Sequence, residues 1–152
     1  MKLTIGQINF QFVCHIALEK EPDGTIRKYM PQDRYENEKG LPLNNYGKGP
    51  FCKFKIPREW GQSGVYAIVL NGVVKYVGEC VNLASRYNMG YGNISPRNCF
   101  IGGQETNCRI NNLIYTVTQQ GKEIDLWFFA TDEYKITEEQ LRSEMRLEWN
   151  RI

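Results

Sequence analysis

The stretch GVYAIVLNGVVKYVGE, Gly64 to Glu79, consists of two apolar segments joined by Asn71-Gly72. Asn-Gly is the strongest two-residue hairpin signal, because both central positions need a positive φ that Asn and Gly tolerate. Residues 64–70 and 73–78 alternate and are rich in Val and Tyr, so the spacing predicts a β-hairpin. A hairpin that served only a core would not need Gly64-Val65-Tyr66 on one strand and Tyr76-Val77-Gly78 on the other. Glycine weakens a strand interior and marks places where backbone or ligand approaches closely.

Working outward, residues 80–89 (CVNLASRYNM) read as a short helix stopped by Gly90, followed by a long polar loop over 90–105. Residues 106–121 read as a helix with Thr106 as N-cap, with Ile110, Leu113, Ile114 and Val117 on its apolar face. Residues 123–130 (EIDLWFFA) read as a strand. Residues 137–152 read as the last helix, opened by a capping box of Thr137 and Gln140. Towards the N-terminus, residues 3–18 read as strand, Pro22-Asp23-Gly24 as a turn and 31–50 as a long loop. The fold class is α+β. A small three-stranded central sheet, mixed or antiparallel, is flanked by helices. An N-terminal β-rich extension over 1–60 precedes a core over 61–152, and packs on the sheet or extends it.

The chain has 152 residues, enough for one ordinary domain, and 41% of them are hydrophobic, as in soluble globular proteins. No run approaches the ~20 apolar residues of a membrane span, so no membrane partner is expected. The first residues alternate rather than forming an apolar targeting segment, which makes the cytoplasm the default location. The five cysteines are widely spaced and include no CxxC pair, so reduced, half-buried thiols fit better than a zinc site. A net charge of +2 neither demands nor excludes nucleic acid, which leaves local charge distribution to decide.

The two tripeptides, the hairpin between them and Arg86 in YVGECVNLASR resemble the GIY-YIG nuclease superfamily. That family ends its core with a helix carrying one metal-binding glutamate and often a later aromatic-Asn pair. EEQLRSEMRLEWN, with Trp149-Asn150, is similar to that helix. The resemblance covers about Gly61 to Asn150. Val replaces Ile in both tripeptides, no histidine follows Arg86, and Leu147-Glu148 stands where a proline is common. The long polar loop after Arg86 is similar to insertions in the restriction-endonuclease branch.

The resemblance implies a GIY-YIG-like α/β/α sandwich and a metal-dependent DNA endonuclease. Tyr66 would be the general base or a proton relay, and Tyr76 would hold the water or a phosphate oxygen. Arg86 would bridge phosphate oxygens with its planar fork, supplemented by Lys75. Counting back from Asn150 makes Glu138 the metal ligand, with Glu144 and Glu139 as alternatives. One carboxylate with several waters suits Mg²⁺ or Mn²⁺. Gly64, Gly78 and Asn150 would support the site.

Double-stranded DNA would be met by the polar loops. Tyr87, Tyr91, Arg97, Gln104, Asn107, Arg109 and Lys48 have side chains suited to base edges, phosphates or stacking. A restriction-like enzyme, often a homodimer, competes with a repair or structure-selective nuclease. A different class altogether is a non-catalytic module of the same fold that grips nucleic acid or a protein.

Overall fold

The computed structural model describes residues 2–151. Met1 of the expected extension and Ile152 of the expected last helix lie outside the described residues. The protein is α+β. The chain divides into two compact units that interleave along the sequence. Unit 1 takes the residues up to Ile16, Ile56–Arg86 and those from Lys122 on; unit 2 takes Ala17–Lys55 and Tyr87–Gly121.

Unit 1 contains the sheet. Strands β1 (Leu3–Ile5), β2 (Ile8–His15), β3 (Gly64–Leu70), β4 (Val73–Cys80) and β5 (Ile124–Ala130) lie in the order β1-β2-β5-β3-β4, and every pairing is antiparallel. The expected three-stranded sheet is therefore five-stranded. The stretch 3–18 is not one strand but a hairpin, turning at Gly6 with φ 63°. β2 then pairs with β5, which has β3 on its other side. Phe12 lies opposite Trp127, with their rings in edge contact at 5.3 Å. The aromatic run of β5 is thereby flanked on both sides instead of ending the sheet, which removes an exposed apolar edge.

The turn between β3 and β4 is as the sequence predicts: Asn71 has φ 48° and Gly72 φ 82°. Helix α1 is short (Leu83–Arg86), with Asn82 Oδ1 accepting the Ser85 N–H at 3.0 Å. Unit 2 contains helix α2 (Glu105–Gln119), and unit 1 contains α3 (Tyr134–Glu144). Leu141 of α3 joins Val65, Ala67, Val69 and Val77 in a buried cluster, so α3 covers one face of β3 and β4.

The last helix starts earlier and stops earlier than expected. Thr137 lies inside α3 and caps nothing, and Met145 is extended at φ −148°, ψ 150°. The chain leaves the helix because its next residues have other partners. Met145 and Leu147 pack against the buried cluster, and the Trp149 N–H donates to Lys75 O at 3.0 Å.

In unit 2, α2 begins at Glu105 behind Gln104 rather than at a Thr106 cap. Its buried face carries Asn107, Cys108, Ile110, Asn111, Ile114 and Tyr115, so Leu113 and Val117 are only partly covered. The rotation centres the helix on Asn111, which is fully buried and fully bonded. Its Nδ2 donates to Cys52 O at 2.9 Å and to Tyr91 O at 2.8 Å, and its Oδ1 accepts from the Cys52 N–H at 3.1 Å. A buried amide in this position ties two loops to one helix.

Candidate active site

β4 contains one extra residue. Ile68 lies opposite Tyr76 and Val69 opposite Val74, which leaves Lys75 as a bulge. A bulge reverses the alternation of side chains beyond it. Val74 thus packs with the α3-facing cluster, whereas Tyr76 turns to the other face. There its ring meets Tyr66 diagonally, with centroids 6.1 Å apart.

Tyr66 lies opposite Gly78, and a Cβ at position 78 would stand 2.4 Å from Tyr66 Oη. The phenol occupies the space that the missing side chain leaves. At Gly64 an added Cβ would stand 2.2 Å from the Phe129 carbonyl oxygen and 2.6 Å from the Phe128 ring. Trp60 meets Phe128 edge-on at 6.0 Å. The glycines of both tripeptides are thus the positions over which aromatic rings lie. Tyr66 is 1% exposed and Tyr76 8%.

Asn150 fixes the second tripeptide from the side. The Val77 N–H donates to its Oδ1 at 2.9 Å, and its Nδ2 donates to Val77 O at 2.8 Å. β4 is the edge strand, so these are the groups that a further strand would otherwise take. Lys75, at the bulge, pairs with Glu148 two residues before Asn150, which holds the Glu148 carboxyl below its usual range. Arg86 is half-buried at the end of α1. Burial pushes the Cys80 thiol up to about 12; Glu79 adds to that push, and the nearby Arg86 guanidinium opposes it.

Glu138 differs from its two competitors. Glu139 and Glu144 are exposed, whereas Glu138 has a side chain only 14% exposed. Its Oε1 is buried and accepts no hydrogen bond; Arg142 Nη1 stands 3.6 Å away as an ion pair. Burial raises the carboxyl above its ordinary range, Arg142 pulls it down, and the negative charges of Glu79 and Glu139 push it up again. Glu138 precedes Leu141 by about one helical turn and lies on the face that α3 covers. Strand alternation puts Tyr66 and Tyr76 on the opposite face.

The structure therefore brings Tyr66, Tyr76, Gly64 and Gly78 together on one face of β3 and β4 and sets Glu138 on the other, with Asn150 at the edge of β4 lining a cleft that Glu138 also lines. Among the described residues, no three His, Cys, Asp or Glu side chains gather as a metal cluster. The donor chemistry that is present, one half-buried carboxylate with a buried, unbonded oxygen, fits a hard cation that keeps most of its water.

The arginines around Glu138 are not among the site residues expected from the sequence. A cleft of about 640 Å³ adjoins it, lined by Arg142, Arg146, Arg151 and Asn150 among others. The four-residue spacing of Glu138 and Arg142 within the helix is the signal the sequence offers.

The expected DNA contacts are scattered in their roles. Tyr87 and Tyr91 are buried and form an edge-on pair at 5.2 Å, and Asn107 is buried, donating to Gln104 Oε1 at 3.2 Å. These three build the interior of unit 2 and present no surface to a duplex. Arg97 braces its own loop by donating to Ile101 O at 3.1 Å. Arg109 is half-buried, and Gln104 and Lys48 are exposed.

All five cysteines are free thiols. Among the described residues, no helix is long and apolar enough to cross a membrane. No protein-family model, no curated protein and no solved structure matches the chain.

Proposed function

We propose that the protein is a metal-dependent DNA endonuclease of GIY-YIG type, with the central strands and α3 as its GIY-YIG-like sandwich. The observation that carries the reading is the pairing of the two tripeptides: Tyr66 lies over Gly78, Tyr76 lies beside Tyr66, and Asn150 clamps Val77 between Tyr76 and Gly78. A chain that needed only a hairpin core has no reason to spend Gly78 on seating the Tyr66 phenol.

In this reading Tyr66 takes a proton from the attacking water or passes it on. A phenol, with an ordinary pKa of ~10, needs positive charge nearby to do so. Tyr76 orients the water or a phosphate oxygen. Arg86 spreads its fork over the non-bridging oxygens as negative charge builds on them, while the bond from phosphorus to the leaving sugar oxygen breaks and that oxygen takes a proton from solvent. Lys75, held by Glu148, adds charge at the bulge. Glu138 would hold Mg²⁺ or Mn²⁺. Such an ion, when bound, supplies Lewis-acid stabilisation and lowers the pKa of a bound water. Cutting both strands of a duplex takes two copies or two turnovers, which is where a homodimer would enter. Restriction-like use is favoured over repair, and free thiols suit the cytoplasm.

A second reading is favoured by one observation. Tyr66 is buried and faces away from Glu138, an arrangement that suits a binding module without catalysis. The two are separated by incubating supercoiled plasmid and unmethylated genomic DNA with Mg²⁺ or Mn²⁺, against EDTA. The parent is run beside Tyr66→Phe, Arg86→Ala and Glu138→Gln. Metal-dependent bands lost in all three variants are expected. Loss in the first two alone moves the metal to Glu144 or Glu139. No cutting, with retained gel shift of the same DNA, selects the binding module.

A further inference from the structure

The charge of the chain is unevenly placed. Unit 2 has ten Lys and Arg against seven Asp and Glu, whereas unit 1 has nine against ten. An anionic polymer is therefore drawn to unit 2, although the net charge of the whole chain hides it.

One surface of unit 2 has the shape to use that charge. Two adjoining cavities, of about 580 and 280 Å³, share two residues of α2, Tyr115 at the margin of its buried face and the exposed Gln119. Lys20 and Lys28, on the two arms of the Pro22-Asp23-Gly24 turn, stand on one wall; Lys48 and Asn45 stand on the other. All three lysines are exposed, and none of them is in a salt bridge among the described residues. The acid on the wall, Glu21, is occupied by Arg27 at 3.3 Å. Thr118 lines the larger cavity with a buried Oγ1 that makes no hydrogen bond.

We propose that this groove is a binding surface for duplex DNA. Lys20, Lys28 and Lys48 meet backbone phosphates from both walls, and Asn45 and Gln119 face base edges between them. Lysine suits the first task as a mobile point charge, and amides that donate and accept suit the second. The choice of ligand rests on the nuclease reading, but the surface lies apart from the residues assigned to cleavage. It also differs from the loop over 91–109, whose aromatic side chains and Asn107 are turned inward.

The test is fluorescence anisotropy of a labelled duplex in EDTA across a range of salt concentrations. The parent is compared with a variant carrying Lys20→Ala, Lys28→Ala and Lys48→Ala together, and with Gln119→Ala. All are surface changes, and an unchanged melting temperature shows that each variant folds. The triple variant is expected to bind at least about tenfold more weakly. Its plot of log K against log salt should be shallower by about 2.7, three phosphate contacts at ~0.9 each. Gln119→Ala should weaken binding while leaving that slope unchanged. A triple variant with the parent's affinity and slope overturns the groove, as does a parent that binds no duplex. A parent that binds through the groove yet cuts nothing with metal leaves the groove standing and removes the nuclease. A parent and triple variant that cut and bind alike do the reverse.

Discussion

Gly78 has its place because of a neighbour. Alanine there would set a methyl 2.4 Å from Tyr66 Oη, well inside contact distance. Gly78→Ala is expected to lower stability by about 1–3 kcal/mol, the usual range for overpacking a filled interior. It should also displace the phenol, so any cleavage should fall with it, as in Tyr66→Phe. Denaturant melts and plasmid cutting read the two effects separately. Glu138 makes a second test. Burial holds its carboxyl above the ordinary range, with Glu79 adding to this and Arg142 opposing it. Between the unfolded and folded pKa values, the native state therefore binds more protons than the unfolded chain. Stability falls as pH rises through that window, and the loss persists above it. Glu138→Gln is expected to melt higher than the parent at neutral pH in EDTA. That advantage should fade as pH drops below the ordinary carboxylate range. Mg²⁺ should raise the melting temperature of the parent and leave that of Glu138→Gln unmoved. Equal metal shifts in both proteins would remove Glu138 as the ligand.

The edge of β4 is closed by a segment that belongs to no helix or strand. Trp149 and Asn150 take the outward groups of Lys75 and Val77, as a sixth strand would. Asn150→Ala leaves the Val77 N–H and C=O without these partners and is expected to cost about 1–3 kcal/mol. Asn150→Asp should cost a similar amount, because a carboxylate can accept from the N–H but cannot donate to the carbonyl. A variant with unchanged stability would show that water replaces the clamp. In α2 the corresponding element is Asn111. Replacing it with leucine leaves the Cys52 and Tyr91 groups unpaired in the interior, and a loss of about 3 kcal/mol or more is expected by chemical denaturation. Helical spacing alone selected Leu113 and Val117 for the buried face. It missed Asn111 because periodicity counts apolar residues and gives no credit to a polar one whose bonds are all made internally.

The two units cross the sequence four times, so no single cut separates them. A boundary at residue 60 would take β1 and β2 from unit 1 and the segment 17–55 from unit 2. The isolated fragment 61–152 is therefore expected to remain largely unfolded by circular dichroism, whereas the full chain folds. A cooperative melt from that fragment would show that the hairpin, α3 and β5 are sufficient for a core. Interleaving also separates the proposed tasks: the paired tyrosines, Arg86 and Glu138 belong to unit 1, and the basic groove to unit 2. Salt should accordingly affect duplex affinity more than it affects stability.

The β3–β4 hairpin was readable from residues alone, because Asn71-Gly72 and period-two apolar runs are local signals and the turn chemistry acts within four residues. The pairing of Tyr66-bearing and Gly78-bearing strands followed from the same turn. The bulge at Lys75, which turns Tyr76 towards Tyr66, was not readable, since nothing local distinguishes one register from the next until both faces have partners. The N-terminal strands were legible as strands, but their place beside β5 depends on which edge of the sheet is left apolar. The end of α3 was set by distant groups, the carbonyl of Lys75 and the backbone of Val77, which compete with continued helix for the same residues. The resemblance pointed to Glu138, with Glu144 and Glu139 as alternatives; its partial burial, its unbonded oxygen and its position on the face away from the tyrosines come from packing between elements far apart in the chain. Local turns and alternation need only neighbours in sequence, whereas register, burial and the facing of side chains depend on contacts that exist only once the chain has closed on itself.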